Sequence, residues 1–384
     1  MNTLRVGLFT ECYRPIQNGV VASVDALAQA IRARGHEAVC VTPSMPGHRT
    51  SHEFVVRVPS LPLPTRTAYR LTIPLLPIEL VAPSLAHLSI VHTHSPFVTG
   101  WMGLRLAKRL HVPLIFTYHT QLEEYAHYFP FEARLTRSAA ARLTRTYANA
   151  AEITIVPTAA MEAHLRELGV STRIEVVPSG IELATFAAGR RDEALRAKLG
   201  VAPEGRMVLA AGRLAREKNL ELSLEAFARL DDPAARLVLV GAGLHRKSLE
   251  RTALRLGIAG RTIFAGEFAR EALPDIYASA DALLFTSSSE TQGLVLVEAL
   301  AAGTPVLAVD TPQTRDVLGD SGTIVAAAAR AIAAALRRIL EGGSRRSPAA
   351  SLASRRFDSL ELGNRIVDLY DQLLERPRLV ATAV

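Results

Sequence analysis

Short apolar runs alternate with stretches of helical period along most of the chain, and that alternation constrains the fold more than any other feature. Arg5 to Thr10, Ala38 to Thr42, Phe54 to Val58, Ser89 to Thr93, Pro113 to Tyr118 and Ile153 to Pro157 read as short strands. Met207 to Ala211, Arg236 to Val240, Thr262 to Ala265, Ala282 to Phe285 and Val306 to Val309 repeat the pattern in the second half. With 384 residues the chain is too long for one ordinary core and long enough for two. The expected fold is therefore α/β, as two doubly wound Rossmann-like domains facing each other across a cleft. The charged, helix-prone stretch GRRDEALRAKLG separates the two series. It puts a first domain at 1–190, a second at 191–357 and a final helical segment at 358–384.

Composition narrows the partners. A hydrophobic content of 49% describes a well-buried globular protein rather than a disordered one. The net charge of +7 calls for an anionic partner: nucleic acid, a nucleotide or a membrane surface. Aromatic residues make up only 5% and no basic patch is interleaved with them, which argues against nucleic acid. Cys12 and Cys40 are the only cysteines, so a disulfide framework is not the design and a reducing cytoplasm is expected. The opening MNTLRVGLFTE meets Glu11 too early for a signal peptide. The apolar stretch Leu71 to Leu88 is broken by Pro74, Pro77 and Pro83 and contains Glu79, so it does not read as a membrane span.

Candidate chemistry is densest in TSSSETQGLVLVEALAAGTP, Thr286 to Pro305. It reads as a polar loop and a helix between two strands, with Glu290 in the loop and Glu298 as the only charged side chain of the helix. Unpaired amides around Gly293 and Leu294, backed by the helix dipole, form a receptor for phosphate. Two carboxylates flanking that receptor suit a sugar and a ribose on either side of a diphosphate. The plainer alternative is a helix-entry acid at Glu290 and a solvated Glu298. In GRLAREKN, Arg213 and Lys218 supply positive charge just after a strand end, which suits a leaving group whose charge grows.

In the first half, Gly19 follows the opening strand, either as a plain turn glycine or to let backbone approach a ligand. No G-x-G-x-x-G accompanies it, which disfavours a dinucleotide. His92 and His94 form H-x-H without further ligands at metal spacing. His119 ends a strand where α/β sheets place their ligands, and is either a ligand contact or a satisfied core histidine. The loop SLPLPTRTAYRLTIPLLPIELVAP, with Arg66 and Arg70, reads as a long surface connection or a binding loop. FEARLTRSAAARLTRTYANA has helical period: Leu135, Ala139, Leu143 and Tyr147 form one stripe, with Arg134, Arg137, Arg142 and Arg145 on the other side. Such a helix is either a core helix with a solvated basic face or a docking element for anionic lipid.

Glu290 and Glu298 form E-x7-E, and ETQGLVLVEALAAGTPV resembles retaining GT-B glycosyltransferases of family 4 almost throughout. YRPIQNGVV is similar to the family's first loop, and HTHSPFVTGWMGLRLAKRL and FTYHTQLEEY are similar to family members acting on glycerolipids, the bacterial diacylglycerol glucosyltransferases. The resemblance implies that Glu290 contacts the transferred sugar and Glu298 the nucleotide ribose. It implies Arg213, Lys218, Gly293 and Leu294 at the donor diphosphate, backbone approach at Gly19, His119 on the donor sugar, and Glu267 and Phe268 against the base. It also implies a C-terminal helix that crosses back to the first domain. The reaction implied is transfer of a hexose with retention from a nucleotide sugar, UDP-glucose before GDP-mannose, to diacylglycerol or a related lipid. No metal or other cofactor is expected, and the enzyme would sit on the anionic inner face of the cell membrane. A soluble sugar acceptor and a nucleotide-sugar epimerase of the same fold are the alternatives. The stretch 310–326 is similar to the family's closing loop but reads shorter.

Overall fold

The computed structural model describes residues 3–47, 54–63, 69–73, 82–124, 132–342 and 348–375. The chain divides into two compact units, Met1–Gly180 with Ser359–Val384, and Ile181–Asp358.

The first unit is built on the parallel strands β1 (Arg5–Phe9), β2 (Glu37–Pro43), β3 (Val55–Val58), β6 (Ile90–Thr93), β7 (Leu114–Thr117), β8 (Ile153–Val156) and β9 (Arg173–Val176). Their order is β3-β2-β1-β6-β7-β8-β9, all parallel. Helices α1 (Gly19–Ala33), α2 (Val98–Leu110), α3 (Ala133–Ala148) and α4 (Ala159–Glu167) connect them. Strands buried on both faces explain why they read as continuous apolar runs rather than alternating ones. The connection expected as one long loop instead forms a small antiparallel hairpin of β4 (Ser60–Pro62) and β5 (Arg70–Thr72), followed by a 3-10 turn at Pro83–His87. The Arg70 guanidinium donates to the Ser60 hydroxyl and carbonyl, both at 2.8 Å, and so ties the hairpin together.

The second unit holds β10 (Arg206–Ala211), β11 (Ala235–Val240), β12 (Thr262–Gly266), β13 (Ala282–Phe285), β14 (Val306–Val309) and β15 (Thr323–Val325). Their order, β12-β11-β10-β13-β14-β15, is that of a Rossmann sheet, which reverses direction between β10 and β13. Its helices are α5 (Leu183–Ala187), α6 (Glu193–Lys198), α7 (Leu220–Ala228), α8 (Arg246–Arg255), α9 (Leu273–Ser279), α10 (Leu294–Ala301), α11 (Pro312–Leu318), α12 (Ala329–Glu341) and α13 (Pro348–Ala353). The segment read as a closing loop thus contains α11 and β15. The signal lay in Thr311-Pro312: Thr311 caps the helix in a capping box with Thr314, and Pro312 fits its first turn.

The boundary expected after residue 190 falls instead between Gly180 and Ile181. Ile181 donates its amide to the Phe357 carbonyl at 2.9 Å, Phe186 of α5 is buried in the second unit's core, and the Arg190 amide binds Asp275. Charge composition marked α6, whereas these contacts begin one helix earlier. At the other end Asp358 stays with the second unit, and α14 (Ser359–Glu375) returns to the first, where it packs along α1. Gly363 makes that approach possible: a Cβ there would lie 2.5 Å from the Cβ of Ala30.

Candidate functional site

In the second unit the site lies where the sheet changes direction, at the ends of β10 and β13, the position at which such sheets bind ligands. The chain leaving β10 turns through Arg216–Lys218, and Asn219, with φ 51°, starts α7. The chain leaving β13 is the serine-rich loop before Glu290. Hydroxyls join the two. The Ser223 and Thr286 hydroxyls lie 2.8 Å apart, and Thr286 also donates to the Asn219 carbonyl at 2.9 Å. Ser287 and Ser289 donate to the Glu217 carbonyl at 3.2 and 3.0 Å. These bonds satisfy loop carbonyls that neither helix nor sheet can reach, and they bring Lys218 against Glu290. The two form an ion pair with both side chains about one-fifth exposed. Arg213 pairs with Glu217, whose side chain is only 3% exposed, so a buried carboxylate orients the exposed guanidinium.

Gly293 caps α10 with φ 82°, a conformation that an L side chain adopts only with strain. A Cβ there would also press on the Phe285 ring at 3.1 Å and on Leu296 at 3.2 Å. The turn therefore demands glycine, and it starts α10 directly after the Glu290 loop, with the amides of Leu294 and Val295 ahead of the first internal bond, which the Leu296 amide donates to the Gly293 carbonyl at 2.9 Å. On the β11 side, Gly241 has φ 133° and a Cβ there would meet the Gly212 carbonyl at 2.0 Å. That glycine lets the loop after β11 lie directly on the loop that carries Arg213.

Glu298 sits in the second turn of α10 and is buried, with the Tyr277 hydroxyl donating to it at 2.5 Å. Burial pushes its carboxyl up from the usual range; the Tyr277 hydroxyl and the nearby Arg270 guanidinium oppose the rise. The solvated alternative for Glu298 is thereby overturned, because the helix turns this face inward against α9. Glu267 is exposed just after β12, while Phe268 packs partly on the second unit's core.

In the first unit Gly19 is the exposed first residue of α1, behind Asn18, whose side chain accepts from the Val21 amide at 2.9 Å. His119 follows β7. Its Nε2 lies 2.9 Å from Nδ1 of His94, and His94 stacks between His92 and His119 at ring separations of 4.5 and 5.2 Å. Burial lowers all three: His92 to about 3, His119 to about 4 and His94 well below the ordinary value, the neighbouring rings adding to the effect at His92 and His94. The H-x-H pair thus belongs with His119 in one column of neutral rings. Among the described residues no cluster of ligands suited to a metal occurs.

The basic helix α3 departs from its expected packing. Tyr147 is fully buried, but Leu135 is 64% exposed and Ala139 is also exposed, so only the last turns of the apolar stripe reach the core. Arg134, Arg137, Arg142 and Arg145 are all exposed. Arg70 is engaged within its hairpin, and Arg66 lies outside the described residues. No helix of the described residues is long and apolar enough to cross a membrane. Sequence reasoning missed Tyr277, Ser287, Ser289 and the His94 contact, since each acts across elements far apart in the chain.

Residues 17–185 match the family model described as Glycosyltransferase Family 4, and residues 191–354 match Glycosyl transferases group 1. The chain is 32% identical over 328 residues to an alpha-monoglucosyldiacylglycerol synthase of Streptococcus pneumoniae, covering 83% of this chain and 74% of the relative. It is 31% identical to a GDP-mannose-dependent alpha-mannosyltransferase of Mycobacterium tuberculosis, covering 82% and 81%. A solved sucrose-phosphate synthase from Thermosynechococcus elongatus superposes with a TM-score of 0.80 at 22% identity, over 96% of this chain and 99% of that one. Two Rossmann-like units, a cation and carboxylate cluster at the second sheet's reversal point and these matches together make the chain a glycosyltransferase of family 4 with the GT-B fold.

Proposed function

We propose that the protein transfers a hexose, with retention, from a nucleotide sugar to a membrane lipid, with UDP-glucose as donor and diacylglycerol or a related glycerolipid as acceptor. The observation that carries the reading is the Lys218 and Glu290 pair, held by the serine hydroxyls beside the Gly293-capped helix. A donor diphosphate takes Lys218, Arg213 and the amides at Gly293 and Leu294, which stabilise the charge that grows as it departs. Glu290, released from Lys218, turns to the sugar hydroxyls, and Glu298 serves the ribose. Glu267 and Phe268 lie against the base, Gly19 lets backbone approach the donor, and His119 hydrogen-bonds the transferred sugar. The bond from the anomeric carbon to the diphosphate breaks while a bond to the acceptor hydroxyl forms on the same face. The acceptor's proton passes to an oxygen of the leaving diphosphate. With protein cations neutralising the diphosphate, the reaction needs no metal.

The glycerolipid acceptor is supported by the pneumococcal relative and by α3, where exposed Leu135 sits among exposed arginines. Peripheral attachment to an anionic membrane surface is part of the same proposal. The mycobacterial relative favours GDP-mannose as the second reading of the donor. Labelled UDP-glucose and GDP-mannose, each offered in EDTA with and without anionic vesicles containing diacylglycerol, test the proposal. Glycolipid from UDP-glucose alone is the expected result. Glycolipid from GDP-mannose alone replaces the donor, and no glycolipid from either removes the lipid acceptor.

A further inference from the structure

The histidine column of the first unit can be followed proton by proton. Tyr370 of α14 is fully buried, and among the described residues its hydroxyl has His92 Nδ1 as hydrogen-bond partner, at 2.6 Å. A buried hydroxyl that meets a single acceptor donates to it, so the proton of neutral His92 is on Nε2 and points to the Thr117 hydroxyl, also at 2.6 Å. His92 is thereby locked at both nitrogens, and its ring forms one wall against which His94 stacks with an interplanar angle of 16°.

His94 has one partnered nitrogen. Its Nδ1 meets His119 Nε2, while its Nε2 is buried with no hydrogen-bond partner. Only one of the two facing nitrogens carries a proton. If His119 donated, the proton of His94 would sit on Nε2 as a buried donor with nothing to receive it. If His94 donates, only a lone pair is left unpartnered, and buried donors without partners are the rarer of the two. We propose that His94 is a positioning residue: its Nδ1–H donates to Nε2 of His119 and so confines the His119 proton to Nδ1. This rests on the reading above that His119 hydrogen-bonds the transferred sugar, and it specifies the form in which it does so, as a neutral Nδ1–H donor to a sugar oxygen. Burial keeps the three rings neutral, so the arrangement persists across the neutral pH range. The H-x-H spacing thus acquires a purpose other than metal binding: His92 in β6 and His94 directly after it carry stacked rings, one ring locked and the next aimed at His119.

The test uses the full chain labelled with 15N-histidine. A long-range proton–nitrogen correlation spectrum shows which ring nitrogen of each histidine is protonated, and a His119→Gln variant assigns the His119 signals. The expected wild-type spectrum has His119 protonated at Nδ1. In His94→Phe the Nε2-protonated form of His119 should appear, with kcat lowered roughly tenfold, the worth of one hydrogen bond, and donor KM little changed. His94→Asn, whose side-chain amide can donate from the place of Nδ1, should restore the wild-type tautomer and most of kcat. Emission of Trp101, in the same unit, checks that each variant folds. A wild-type His119 protonated at Nε2 overturns the proposal, as does an unchanged tautomer in His94→Phe. A His119 protonated at Nδ1 in a protein that makes no product from the proposed donor and acceptor upholds the His94 assignment and refutes the proposed substrates instead.

Discussion

Acidification should destabilise the first unit, and the histidine column sets how much. His92 has its pKa lowered to about 3 and His119 to about 4, both chiefly by burial, against an ordinary value of 6.5 that applies once the chain unfolds. A group whose folded pKa is depressed contributes stability in full above the unfolded value and loses it as pH falls towards the folded one. At about pH 5 the unfolded chain has taken up nearly one proton per histidine while the folded unit has taken up almost none. Relative to about pH 7.5 this amounts to about 2 kcal/mol for each of the two, about 4 kcal/mol together. His94, lowered further by its neighbours, acts in the same sense. Glu11, whose carboxyl burial raises despite the Thr99 amide bound at 2.6 Å, acts in the opposite sense, because the folded unit takes up its proton first. Trp101 is the chain's sole tryptophan, half-buried and 5.4 Å from the Tyr147 ring, so its fluorescence in a urea titration reports this unit. The expected loss is a large part of a typical domain stability of about 5–15 kcal/mol. The same titration of His92→Gln should show a pH dependence smaller by about 2 kcal/mol. A difference between the two pH values below about 1 kcal/mol, or the same slope in the variant, would refute the reasoning.

Glu290→Ala should abolish transfer with an unchanged melting profile, and Arg213→Ala should weaken binding of the free nucleoside diphosphate by about 1.5–3 kcal/mol in calorimetry, the worth of a charged hydrogen bond. Full activity in both would remove the proposed donor site. Gly241→Ala should destabilise the second unit by about 3 kcal/mol or more, since it combines a positive φ with a Cβ set on the Gly212 carbonyl. A variant that melts like the wild type would contradict that close approach. Replacing Arg134, Arg137, Arg142 and Arg145 by Gln should cost about 4 kcal/mol of affinity for anionic vesicles, at about 1 kcal/mol per arginine near the surface. Sedimentation with unchanged binding would assign those arginines to solvent.

The central strands were legible because they are buried on both faces, and burial leaves a continuous apolar run. α11 was not, because its short apolar content is diluted by the capping residues Thr311, Pro312 and Thr314, which signal a helix start only when read for hydrogen bonding, and β15 was not, because it is three residues long and only half-buried. Helical period likewise identified α3 correctly but overstated its burial. A hydrophobic stripe says which side could be covered, and Leu135 shows that nothing in the described chain covers its first turns.

The chain alone determined that two α/β units would form, and it identified Arg213, Lys218, Glu290 and Gly293 as residues whose charge and conformational freedom suit a diphosphate. Those are local properties of a side chain or a backbone angle, carried by the residue wherever it sits. Tertiary structure alone decided that Lys218 meets Glu290, that Tyr277 reaches Glu298, and that His92, His94 and His119 share one column with Tyr370. These pairs are separated by 72, 21, 25 and 278 positions, and the order of the strands together with the packing of helices on them, not chain proximity, brings the partners together. Hydrogen bonding and burial act over a few ångströms, so the partners and protonation of these groups exist only once the sheets have formed.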